Sequence, residues 1–156
     1  MAVRSVKELT VYIKGYALAM QVFKISKRFP VEERYALTGQ IRRSSRSICN
    51  NLREAWAKRR YPPHFVSKLT DSDGENGETD TSLDFARDCG YITEAEHCEL
   101  AAQCAEVGRM LGPMINNPNP FILTPKSLMQ DLTPDPRTLL PVSSKKRAMN
   151  AGGSLR

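Results

Sequence analysis

The chain has 156 residues, 40% of them apolar, and a formal net charge of +6 at pH 7. That length supports one domain with an appended segment, and no run approaches the roughly 18 apolar residues of a membrane-spanning helix. The amino end, MAVRSVKELTVY, lacks the apolar centre of a secretory signal, so the expected location is the cytoplasm.

Charge is unevenly placed. Residues 1–60 carry 14 Lys and Arg against 4 Asp and Glu, residues 61–117 carry 3 against 11, and residues 118–156 carry 6 against 2. The basic first half and acidic second half point to charge matching inside a bundle or oligomer, to an anionic partner, or to both.

Residues 5–28 read as a first helix. Ser5 and Glu8 have capping-box spacing, and Ile13, Tyr16, Met20 and Phe23 recur at three- and four-residue steps as one apolar face. Pro30 ends it. Residues 31–60 read as a long second helix with Glu32 and Glu33 in its first turn, where negative charge suits the helix dipole. Its apolar stripe is Leu37, Ile41, Ser45, Ile48, Leu52 and Trp56. Tyr61-Pro62-Pro63 is a break.

Residues 63–89 present a conflict. TDSDGENGETDTS has loop composition, yet Phe65, Leu69, Ser72, Asn76, Thr79, Leu83 and Ala86 keep the spacing of a buried helical seam. A long structureless loop inside a compact domain is uncommon, so the segment is expected to be a helix with a polar seam. Its small residues would let a neighbour approach closely, and a buried Asn76 can fix register and oligomer state, the alternative being a hydrated, loosely packed helix. Gly90 after Cys89 suits a left-handed helix end, and Thr93 with Glu96 forms a capping box opening a fourth helix over 94–116. That helix is expected to bury Leu100, Ala101, Cys104, Val107, Leu111 and Met114. Gly108 and Gly112 permit tight packing, and Pro113 is expected to kink or end the last turn. Residues 118–156 hold six of the ten prolines and read as a basic, disordered tail, with scattered apolar residues such as Ile122 and Leu123 able to dock. The expected fold is all-α: an antiparallel up-down-up-down four-helix bundle over 1–117 followed by the tail.

Several of these residues fall in a known pattern. Phe29, Pro30, Glu33, Tyr35, Leu37, Gln40, Arg42 and Arg43 form one run, Ser47, Ile48, Asn51 and Glu54 a second, and Gly90, Tyr91 and Ile92 a third. Together they resemble the four-helix bundle proteins encoded in ribosomal RNA intervening sequences, which include the Avd-like accessory proteins of diversity-generating retroelements. The resemblance covers about residues 7–117. Arg53 and Ala55 depart from it, standing where alanine and glycine are usual. It implies a homopentameric, barrel-like homo-oligomer with a basic surface, RNA or DNA as a partner, a reverse transcriptase as a partner in the retroelement members, and no enzymatic activity.

The candidate binding residues lie on the second helix. At about 100° per residue, Arg46, Arg53 and Arg60 fall within about 40° of Arg42, a line of about 27 Å at a rise of about 1.5 Å. Arg43, Lys58 and Arg59 extend the positive field. Arginine forks match phosphate, and a row of them can follow a nucleic-acid backbone. The alternative is that they pair with Asp71, Glu75 and Glu78 of the third helix and serve a self-assembling or protein-binding scaffold. Only Trp56 and Tyr61 supply aromatic rings nearby in sequence, so backbone contact is expected rather than base readout.

Catalytic, cofactor and metal sites are not expected. His64 and His97 lack an oriented partner and nucleophile, and His97 and Cys98 point about 100° apart on a helix. Cys49, Cys89, Cys98 and Cys104 form no closely spaced ligand pair and read as reduced, mostly buried thiols. From Asp71, the acidic run lacks the glycine and glutamate of a calcium loop. Asn51 and Glu54 read as packing residues.

Overall fold

The computed structural model describes residues 2–132, in which all regular structure is helical. Four long helices, α1 (Thr10–Ser26), α2 (Leu37–Ala57), α3 (Pro62–Asp88) and α4 (Glu94–Asn116), enclose one core. A shorter α5 (Pro125–Leu132) falls in a separate unit that begins at Thr124. No helix among the described residues is long and apolar enough to cross a membrane.

The first helix starts later than its spacing suggested. Ser5 caps only a 3-10 turn, Val6–Glu8, and the α-helical geometry begins after Leu9, whose backbone is extended. Its buried face is also the opposite one. Val11, Gly15, Leu18, Ala19, Val22 and Ser26 are buried, whereas Ile13, Tyr16 and Met20 are exposed. Two series of three- and four-residue steps run along this helix, and packing selected the one that contains glycine. A Cβ on Gly15 would stand 3.1 Å from Ile48 Cγ2, so α1 meets α2 at a distance only glycine fills without displacement.

The second helix begins after a 3-10 turn at Val31–Glu33. Glu33 serves as its amino-terminal acceptor: Leu37 N donates to Oε2 at 3.0 Å, and Tyr91 Oη donates to Oε1 at 3.0 Å. Every position of the anticipated stripe, from Leu37 to Trp56, is buried.

The polar segment is the helix α3, and all seven expected seam residues are buried. Its polar groups have local answers. Ser72 Oγ donates to the Ile48 carbonyl at 2.9 Å, Thr79 and Ser44 share a hydroxyl contact of 2.9 Å, and Asn76 Nδ2 donates to the Cys104 carbonyl at 2.9 Å. Hydrogen bonding removes most of the cost of burying such groups; Asn76 Oδ1 alone in this seam has no partner. Gly74 and Gly77 lie outside the seam in open space, so the close approach to α2 and α4 comes from Ser72, Asn76 and Thr79.

Gly90 takes φ +76°, and Tyr91 N reaches back to the Ala86 carbonyl at 2.8 Å. Thr93 and Glu96 close the capping box in both directions. Pro113 does not end α4, which runs on to Asn116. Of the two glycines, Gly108 lies near the Asn76 side chain, while a Cβ on Gly112 meets nothing within 4 Å.

Side-chain pairs join the long helices to one another. Lys14, Gln21 and Arg28 of α1 meet Glu106, Gln103 and Glu96 of α4. Ser44 and Ile48 of α2 meet Thr79 and Ser72 of α3. Asn76 and Asp84 of α3 meet Cys104 and His97 of α4. Burial of side chains such as Leu18, Ile41, Leu69 and Leu111 contributes about 1.5–3 kcal/mol each.

Part of the anticipated tail is ordered structure. The chain past Asn117 stays with the core to Leu123: Phe121 stacks on Phe65 with centroids 6.2 Å apart, and Leu123 N donates to the Arg59 carbonyl at 3.1 Å. Thr124 Oγ1 accepts from Ser127 N at 3.3 Å and opens α5, with Pro125 in its first position. The rest of the anticipated tail, residues 133–156, lies outside the described residues.

Candidate functional site

Arg42 and Arg46 of the basic stripe lie along the border of α2 with α1 and away from the acids of α3. Arg42 Nε donates to Ser26 Oγ at 2.7 Å. The guanidinium carbons of Arg42 and Arg46 stand 5.1 and 5.9 Å from the centroid of the Phe23 ring, and Lys27 Nζ stands 4.7 Å from it. Three cations thus gather on one aromatic ring, each held by attraction to its π face. Arg53 acts electrostatically on Tyr12, which stacks on Tyr16 with centroids 6.3 Å apart.

Acids of α3 do form ion pairs, but with other partners. Arg43 bridges Glu75 at 3.2 Å and Glu78 at 2.7 Å, and Lys68 bridges Glu54 at 2.8 Å and Asp71 at 3.3 Å. Hydrogen bonds to Glu75 raise the Arg43 pKa. Arg43 therefore lies paired at the α2–α3 border instead of extending the positive field of the row, and Glu54 is a surface ion-pair partner rather than a packing residue. Arg42, Arg46, Arg53 and Arg60 have no ion pair with a carboxylate among the described residues. Arg59 is drawn onto Trp56, 3.5 Å from the ring centroid, and its Nε donates to the Trp56 carbonyl at 2.8 Å. Lys58 and Arg60 are exposed in the turn that follows α2, which ends at Ala57 and not at residue 60 as its pattern suggested, so Arg60 lies beyond the helical register of Arg42, Arg46 and Arg53.

Sequence spacing missed the rings beside this row, because they come from α1. Tyr16, Ile13 and Met20 are 56%, 54% and 42% exposed, and Tyr12 and Phe23 are half-buried next to them. The signal lies in the three- and four-residue series Ile13, Tyr16, Met20 and Phe23, which has the spacing of a core face but borders solvent.

The α3–α4 junction holds a second polar cluster. His97 is buried, with Nε2 2.7 Å from Asp84 Oδ1 and the Arg87 guanidinium 3.4 Å from both ring nitrogens. Glu94, His97 and Cys98 each offer a ligand atom within 4.8 Å of the others, the one such trio among the described residues. Arg87 fills the space against the imidazole with positive charge, which opposes a cation there. His64 is exposed and edge-on to Tyr61, with centroids 4.5 Å apart. The thiols divide evenly rather than lying mostly inside: Cys49 and Cys104 are buried, Cys89 and Cys98 exposed.

These features define a helical protein with a cationic, partly aromatic face on its first two long helices. The family follows from sequence comparison: a sequence model of the 23S rRNA-intervening sequence protein matches residues 7–113, and the chain belongs to that family. It is similar to a crystal structure from Bacteroides thetaiotaomicron, a protein of unknown function from the S23 ribosomal protein family. The two share 26% identity with a TM-score of 0.62, over 69% of this chain and 96% of that one. No curated protein matches the chain at a significant level.

Proposed function

We propose that this chain is a non-enzymatic, cytoplasmic bundle protein of antiparallel up-down-up-down design that self-associates and binds the backbone of RNA or DNA. The binding row is Arg42, Arg46, Arg53 and Arg60. The observation that carries this reading is the difference between two sides of α2. Arg43 has two carboxylate partners, whereas the four arginines of the row have none among the described residues. Cations so arranged raise the local concentration of polyanions, and neutralising phosphates releases counterions.

The test is affinity for a mixed-sequence RNA measured against salt. Binding should fall steeply between about 50 and 200 mM, and Arg46→Gln, Arg53→Gln and Arg60→Gln together should reduce the log–log slope by about 2–3. An affinity that stays flat over that range would exclude this mode.

A second reading is a scaffold whose α1 face meets another copy or another protein, and the exposed Ile13, Tyr16 and Met20 favour it. Here Arg46→Gln with Arg53→Gln dissociates the oligomer. Under the first reading the same pair abolishes RNA binding and leaves the light-scattering mass unchanged.

A further inference from the structure

We infer that the α1–α2 face takes single-stranded rather than duplex nucleic acid, with phosphates on a seat formed by Lys27, Arg42 and Arg46 and a base on Tyr16. This rests on the nucleic-acid reading above and goes beyond it by naming the form of the strand.

The argument starts from what a duplex needs. A duplex presents phosphates outward and hides its base faces in the stack, so a surface that grips it requires cations alone. This surface has more. Tyr16 is 56% exposed and stands beside Tyr12, with ring centroids 6.3 Å and planes 22° apart, as a platform open to solvent. Ile13 and Met20 continue the apolar surface around it. Such groups gain nothing from phosphate. They gain from a base, since every base has a π face, and a single strand offers bases and phosphates together.

The cations are placed for the other half of that task. Phe23 holds Lys27, Arg42 and Arg46 within 6 Å of its ring centroid, and none of the three has a carboxylate partner among the described residues. Arg42 is further pinned by Ser26. Side chains held in this way lose less conformational freedom on meeting an anion. Tyr16 and Phe23 are seven residues apart on α1, about 10 Å along its axis. That matches about three nucleotides at about 3.4 Å each in a stacked strand. Arg53, near Tyr12, extends the positive field to the platform end.

The experiment is fluorescence anisotropy on the full chain with labelled oligo-uridine, oligo-thymidine and a duplex of equal length. The single strands should bind at least tenfold more tightly than the duplex. Tyr16→Ala should weaken single-strand binding by about 5- to 150-fold, as loss of one stacked base does. It should leave duplex binding unchanged, and Tyr16→Phe should restore the affinity. Tyr16 is a surface residue, and circular dichroism of each variant checks that the helices remain. Equal binding of duplex and single strand, or a Tyr16→Ala variant with full affinity, overturns the inference and leaves the backbone-binding reading intact. Binding of neither overturns both. A fall in oligomer mass for Tyr16→Ala assigns the face to a second copy of the chain and likewise overturns the inference.

Discussion

Cys104 is buried between α3 and α4, and burial pushes its thiol up to about 12 from the ordinary 9.0; the same cause pushes Cys49 to about 11. A cysteine attacks disulfide and alkylating reagents as its thiolate, so these two are inert in the native protein while Cys89 and Cys98 are open to reagent. Titration with Ellman's reagent should therefore give two equivalents quickly and four only in denaturant. The same shifts set a pH dependence. Because the folded chain keeps these protons above pH 9 and the unfolded chain loses them, their stabilisation is complete below about pH 9. It declines as pH rises toward 11–12. Tyr91, raised to about 12 chiefly by its hydrogen bond to Glu33, acts in the same direction. The urea midpoint should thus be lower at pH 10.5 than at pH 8, and replacing Cys49 and Cys104 by alanine should make that difference smaller.

At the scale of the element, α3 shows how a helix of poor intrinsic propensity is held by its neighbours. Ser72, Asn76 and Thr79 are weak helix formers, but each bonds a group on α2 or α4. Gly74 and Gly77 contribute nothing to that seam, and a Cβ on either meets open space. Changing each to alanine should stabilise the protein by about 0.5–1 kcal/mol, read as a higher denaturation midpoint. Gly15 is the contrast. Its missing side chain is where α1 crosses the fully buried Ile48, so Gly15→Val should destabilise by about 1–3 kcal/mol in the same assay. One residue type thus has opposite consequences on two helices, and the spacing to the neighbour decides the sign.

Over the whole molecule, the basic helices α1 and α2 and the acidic helices α3 and α4 meet at surface ion pairs rather than in a neutralised interior. Arg43 is 57% exposed where it bridges Glu75 and Glu78. Pairs of that kind contribute about 0–1 kcal/mol, so Arg43→Gln should lower stability by no more than about 1 kcal/mol. It should also leave RNA affinity closer to the parent than Arg46→Gln does, because Arg46 faces the α1 border. Comparing the two variants in one binding assay separates a structural cation from a binding one.

Most helix bounds could be read in the chain because their signals are local. Pro62, Gly90 and the Thr93–Glu96 box act within one turn, and the stripes of α2, α3 and α4 repeat at helical spacing whatever lies opposite. The motif residues Phe29, Glu33 and Tyr91 were recognisable without their geometry; only the fold shows Phe29 packed on Tyr91, and Tyr91 bonded to the same Glu33 that caps α2. The face of α1 could not be read, since apolar residues recur on both sides of it and the choice depended on how closely α2 approaches Gly15. Nor could the partners of the arginine row be read. Spacing places Arg42, Arg46 and Arg53 in line on α2, with Arg60 in the turn beyond it, but whether carboxylates or aromatic rings stand beside them is a matter of which helix packs on that side. Local physics determined where α3 and α4 begin and end; the contact between distant helices decided which cations remain open to a partner.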